Sequence, residues 1–273
     1  MPRRSLSRRR GSDTGAAAGN EDDGMTELFD VNCRIGAGPT RQEGAIASTK
    51  ELLALMDEFH VTNALVHHSV AEYSDPLLGN GMVLSETAAN GRLLPQWAVL
   101  PPLWDLFPSP EDLIGRMKEN GVKTVRLFPA QYKHSLKRYA AGELLDALAQ
   151  CNIPAFIALD QLADWDALYE LCAAYPAGRF VLCRPGYRCL RSLVPILDAC
   201  DNLWVETSDL FMHDGFKDLC RYQGAGRFLF GSGVPDASLA ASASQLLLSD
   251  ISDEEKRMIG AENIRKLLSE VSF

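Results

Sequence analysis

The sequence predicts an α/β fold, a single (β/α)8 TIM-like barrel. Two observations predict it. From residue 27 onward, eight short apolar or β-branched runs each precede a helical pattern. The runs are mostly apolar along their whole length, as strands buried on both faces of a parallel sheet are. An open doubly wound sheet would want a Gly-rich phosphate turn, and Gly36-Ala37-Gly38-Pro39 after the first run lacks G-x-G-x-x-G.

The expected strands are 28–33, 62–67, 94–99, 122–128, 154–159, 179–183, 203–207 and 227–231. The expected helices are 48–60, 81–90, 109–120, 140–151, 163–174, 188–199, 212–223 and 236–248, with a last helix over 253–270. Ser48-Thr49-Lys50-Glu51 is close to a capping box ahead of Leu52, Leu55, Met56 and Phe59 at helical spacing. Ser109-Pro110-Glu111-Asp112 places a cap residue, then Pro, then acids at a positive helix end. Asn120-Gly121 and Asn152-Ile153-Pro154 each stop a helix before the next strand. Ser252-Asp253-Glu254-Glu255 opens the final helix by the same charge logic.

Bulk properties bound the function. With 273 residues, 47% hydrophobic and 23% charged, the chain can fill one large barrel domain, taken as 25–273. A net charge of −9 gives no global basic footprint for nucleic acid. No apolar run approaches the ~20 residues of a membrane span. The seven cysteines are scattered, odd in number and never in C-x-x-C, which points to reduced thiols and a cytoplasmic location. Residues 1–24 carry five arginines, then Gly/Ala, then an acidic cluster, and read as a disordered tail without a signal-peptide core.

In such a barrel the chemistry sits at the C-terminal strand ends. Side-chain alternation assigns Phe29, Val31 and Cys33 to the helix-packing face, and Asp30, Asn32 and Arg34 to the axis. It puts Thr124 and Arg126 inside, with Val125 and Leu127 outside. It puts Phe156, Ala158 and Asp160 inside, with Ala155, Ile157 and Leu159 outside. Phe180, Leu182 and Arg184 share a face, as do Trp204, Glu206 and Ser208. Alternation leaves open which of His67 and His68 looks in. His134, in the loop after strand four, is expected over the mouth, and Ser232 follows strand eight.

Three segments resemble the amidohydrolase-related family. They are Phe29-Asp30-Val31-Asn32-Cys33-Arg34-Ile35-Gly36, Arg179-Phe180-Val181-Leu182-Cys183-Arg184-Pro185-Gly186 after Tyr175-Pro176, and Arg227-Phe228-Leu229-Phe230-Gly231-Ser232-Gly233-Val234-Pro235. The last is answered by Glu262-Asn263-Ile264-Arg265-Lys266-Leu267 in the final helix. The resemblance spans 27–270 and implies a barrel hydrolase or decarboxylase of small carboxylic acids, with pairing into a homodimer as a family habit. It also implies five metal-ligand positions, which fall here at Asn32, Arg34, Ala158, Arg184 and Gly233. None is retained, so no metal and no other cofactor is expected. An arginine stays protonated and cannot ligate a cation.

What remains suggests an anion-binding mouth, because guanidinium groups suit carboxylates. One expectation is a metal-independent hydrolase or lyase. Asn32, Arg34, Arg126, His134, Arg184 and Ser232 would bind a small anionic substrate. His67, His68, Asp160 and Glu206 would move protons. The other is a catalytically inactive barrel that binds a small anion or a protein. Gly231-Ser232-Gly233 lacks the G-x-S-x-G frame of a nucleophile elbow.

Overall fold

A computed structural model describes residues 26–39, 46–211 and 215–273. The expected tail at 1–24 and the start of the expected helix 212–223 lie outside them. The staves are β1 (Leu28–Ile35), β2 (Val61–His68), β3 (Leu93–Pro95) with β4 (Trp97–Ala98), β5 (Val125–Leu127), β6 (Pro154–Ala158), β7 (Arg179–Cys183), β8 (Leu203–Glu206) and β9 (Phe228–Leu229). Neighbours pair in parallel, in the order β1-β2-β3 and β4 through β9.

β3 and β4 are two halves of one stave. Between them Gln96 donates its N–H to Val66 at 2.8 Å, and Trp97 donates to Thr124 at 3.3 Å. The ring closes past β9. Val31 donates to the Phe230 carbonyl at 3.0 Å, Gly233 to Asn32 at 3.1 Å and Arg34 to Val234 at 2.8 Å. Eight staves result, as the sequence predicts.

The helices are α1 (Thr49–Glu58), α2 (Ser69–Tyr73), α3 (Pro76–Thr87), α4 (Pro110–Glu119), α5 (Arg138–Gln150), α6 (Trp165–Ala174), α7 (Leu190–Ala199), α8 (Gly215–Gln223), α9 (Leu239–Leu247), α10 (Asp253–Arg257) and α11 (Asn263–Ser269). The Ser48–Glu51 capping box forms as read. α3 starts earlier than the expected 81–90, because Asp75 accepts from the N–H groups of Leu77 and Leu78 ahead of Pro76. The expected 253–270 helix is interrupted by a wide turn at Met258–Glu262. Just past that turn, the Asn263 amide donates to the Ala225 and Phe228 carbonyls, which ties α11 to the base of β9.

Two apolar layers follow from the alternation. Cys33, Val66, Val125, Leu127, Ala155, Ile157, Leu182 and Val205 pack outward against the helices. Phe29, Val31, Leu65, Phe156, Val181 and Leu229 fill the lower interior, and Ile264, Leu267 and Leu268 of α11 belong to the same cluster and seal its floor.

Two facing assignments are corrected. Phe29 and Val31 are interior, not helix-facing, because the β1–β2 register shifts between Asp30 and Cys33 and the bulge inverts the alternation. Asp30 consequently does not face the axis. Its carboxylate accepts from the backbone N–H groups of Asn32 and Ser232, at 3.0 and 2.9 Å. Arg184 leaves the face of Phe180 and Leu182, since its φ of 51° turns the chain at the end of β7.

Candidate active site at the barrel mouth

Above the apolar floor the interior turns polar. Asn32, Arg34, His67, Arg126, Ala158, Asp160, Arg184 and Gly233 all line one cavity of about 40 Å³ at the C-terminal strand ends. The five positions to which the resemblance assigns metal ligands therefore do converge. What stands there now is an amide, two guanidinium groups, a methyl group and a glycine.

Arg34 projects from the end of β1 and is largely buried. It donates to Tyr73 Oη at 2.6 Å and to Glu72 at 3.3 Å, both from α2, and to Asp236 at 2.7 Å. Arg184 donates to Asp209 at 3.0 Å and lies 3.8 Å from Asp236. Each guanidinium thus meets carboxylates of the chain itself.

Arg126, from β5, is 4% exposed. Its Nη1 donates to the Asn32 amide oxygen at 2.7 Å and lies 3.3 Å from His67 Nδ1. Among the described residues, no carboxylate oxygen lies within 4 Å of it.

His67 is the histidine that faces the cavity. Its Nδ1 meets the Arg126 donor, so the proton sits on Nε2 and is donated to Glu72 at 3.1 Å. Burial, then the Arg126 charge, lowers its pKa to about 4 against the opposing pull of Glu72. The Glu72 carboxyl is held down at about 2. Burial opposes that ionisation, and the His67 hydrogen bond with the Arg34 and Arg126 charges overcomes it.

His68 points elsewhere. Its Nδ1 caps α2 by accepting from the Val70 N–H at 3.0 Å, and its Nε2 lies 3.5 Å from Glu86.

Glu206 sits fully buried below the cavity. It accepts from Asn32 Nδ2 at 2.9 Å, from Ser208 Oγ at 2.7 Å, from the Arg184 N–H at 3.2 Å and from the Ser208 N–H. Burial pushes its pKa up to about 7, although these donors favour the ion. Gly231 makes room for it, since a Cβ there would overlap the carboxylate. Asn32 is a relay, with its oxygen on Arg126 and its nitrogen on Glu206.

Asp160 lines the mouth from an exposed position. Ser232 does not line it; it is fully buried, and its Oγ accepts from the Val234 N–H at 3.2 Å. His134 does not line it either, and lies in a separate cavity beside α6.

Sequence reasoning missed Glu72, Asp209 and Asp236, which neutralise Arg34 and Arg184, and Tyr73, whose hydroxyl accepts from Arg34. One signal was available: Asp209 and Asp236 follow β8 and β9 within a few residues, on the same rim as Arg34 and Arg184.

The donor set does not fit a divalent ion. Two of the five positions carry permanent cations, two carry no donor, and the Asn32 oxygen is engaged by Arg126. Among the described residues, no three His, Cys, Asp or Glu side chains cluster to hold a metal. All seven cysteines are free thiols. Among the described residues, no helix is long and apolar enough to cross a membrane.

The chain belongs to the amidohydrolase family, whose model matches residues 39–269. Among curated protein sequences nothing matches it. In fold it is similar to a TIM-barrel protein of Bordetella bronchiseptica, with a TM-score of 0.71 at 15% identity over 90% of this chain and 99% of that one. It is also similar to the 5-carboxyvanillate decarboxylase LigW2 of Novosphingobium aromaticivorans, with a TM-score of 0.72 at 14% identity over 92% and 99% of the two chains. A third is a dihydroxybenzoic acid decarboxylase of Polaromonas sp. JS666, with a TM-score of 0.68 at 15% identity over 90% and 97%. Both decarboxylases were solved with bound manganese.

Proposed function

We propose that this amidohydrolase-fold barrel binds one small carboxylate at Arg126 and does so without a metal ion. One observation carries the reading: of the three mouth arginines, Arg34 and Arg184 meet the chain's own carboxylates, and Arg126 meets an amide, a neutral imidazole and the Phe128 ring but, among the described residues, no carboxylate. A buried guanidinium in that setting gains most from an anionic partner. The cavity of about 40 Å³ admits a few water-sized groups, hence a carboxylate and little more. Drug-sized ligands occupy roughly 300–1,000 Å³. The two structurally similar decarboxylases act on carboxylic acids, which agrees with the ligand class.

A second reading has its own observation. Glu206, poised near pH 7 and linked to the mouth through Asn32, is a candidate general base for a metal-independent hydrolase or lyase.

Calorimetric titration with formate and acetate separates the outcomes. We expect saturable binding by the native protein, unchanged by prior chelation, and at least tenfold weaker binding by Arg126→Met. No binding of either anion, or stoichiometric manganese or zinc at the mouth, would overturn the proposal. Turnover of a carboxylic acid or lactone that Glu206→Gln abolishes would establish the second reading instead.

A further inference from the structure

Three carboxylates serve the two outer arginines of the mouth, and one of them serves both. Arg34 keeps Glu72 at 3.3 Å, and Arg184 keeps Asp209 at 3.0 Å. Asp236 is shared: its Oδ1 accepts from Arg34 Nη2 at 2.7 Å, and its Oδ2 lies 3.8 Å from Arg184 Nη1. The two guanidinium groups form a clamp with one carboxylate between them.

Asp236 fills that clamp imperfectly. A charge-assisted hydrogen bond spans roughly 2.7–2.9 Å, so the aspartate reaches one jaw and falls short of the other. Among the described residues, no backbone N–H and no hydroxyl donates to its carboxylate; the arginines alone hold it. Its main chain is fixed separately, because the N–H groups of Asp236 and Ala237 both donate to the Gly233 carbonyl, at 2.9 and 3.1 Å. The side chain is 31% exposed and can turn to water without moving the loop. Its departure leaves neither guanidinium alone, since Glu72 and Asp209 stay, and the cost of an unpaired buried charge is avoided. A carboxylate free of the chain can centre itself between both arginines, as the tethered one does not.

We propose that Arg34 and Arg184 form a second carboxylate subsite, and that Asp236 is its built-in occupant, displaced when a small external carboxylate binds. This deepens the carboxylate reading of the mouth and rests on it for the ligand class alone, since no atom of Arg126 takes part.

Calorimetric titration of the full chain with formate tests it, in the Arg126→Met background that silences the first subsite. Adding Asp236→Ala should create one saturable site, at least tenfold tighter than any binding with Asp236 in place. Adding Arg184→Met should remove that site. Asp160→Asn takes the same charge from the same rim, leaves the clamp filled and should create none. On the unmutated protein, excess formate should move the ¹³C resonance of the Asp236 carboxyl, so a variant that fails to fold still leaves a decisive measurement. If the native chain binds no formate at Arg126 while Asp236→Ala binds one, the Arg126 reading falls and this one stands. Three results would each overturn the proposal. One is an Asp236→Ala protein with native circular dichroism and no new site. Another is a new site that survives Arg184→Met or arises equally with Asp160→Asn. The third is an Asp236 resonance that formate never moves.

Discussion

The lower and upper halves of the barrel interior lie within one ring of staves and obey different rules. Below, Phe29, Val31, Leu65, Phe156, Val181 and Leu229 form one apolar layer, whose stability is area removed from water. Above, toward the C-terminal ends of the staves, Asn32, Arg34, His67, Arg126, Arg184 and Glu206 form a polar layer. Each member there is tolerable only because a partner faces it. The lower layer needs volume. The upper layer needs pairing.

Four predictions, tested with five substitutions, sharpen or break that contrast. Phe156→Ala should cost the most, about 4 kcal/mol in urea unfolding, because the floor beneath it is sealed by α11 and cannot collapse. A loss under about 1 kcal/mol would show that the lower layer is loosely packed. Arg34→Met should cost about 3 kcal/mol, since Glu72 and Asp236 lose their shared cation. An unchanged midpoint would mean that the mouth network adds nothing to stability.

The third prediction is a pH profile. Glu206 rises from an ordinary 4.5 to about 7, so between those values the native state holds a proton the unfolded chain has released. Its contribution is therefore full below pH 4.5 and is lost as pH rises to 7. His67 falls from 6.5 to about 4, so between those values the unfolded chain binds a proton the native state refuses. Its contribution is full above pH 6.5 and is lost as pH falls to 4. The two slopes oppose each other between pH 4.5 and 6.5. Glu206→Gln should unmask a rise in stability from pH 4 to 6.5, on the order of 2–3 kcal/mol. His67→Asn should unmask a decline from pH 4.5 to 7. Identical profiles for the two variants would refute the assignment. Last, Ser48→Ala removes the α1 capping box outside both layers and should cost about 1 kcal/mol near neutral pH.

Legibility followed the same division. Strand alternation correctly separated Val125 and Leu127 from Arg126, and Ala155 and Ile157 from Phe156, because those staves are regular. It failed at Phe29 and Val31, where a bulge adds a residue, and at Arg184, whose positive φ carries no sequence mark. The arginines at the mouth were visible from their spacing. Their partners were not. Glu72 meets Arg34 across 38 positions and Asp236 does so across 202, and only the closed ring brings them together. His134 was placed on the right loop and in the wrong cavity, since periodicity says nothing about which way a loop folds over the rim.

The seam between β1 and residues 230–234 sets an order of events during synthesis. β1 is translated before residues 230–234, and one of its edges has no partner from that segment until some two hundred further residues have followed it. Throughout that interval the nascent chain offers an open ribbon of donors and acceptors to any neighbouring strand. The last turns of the barrel thus act as a fastener, and whatever shields that edge beforehand governs how much protein reaches the finished ring.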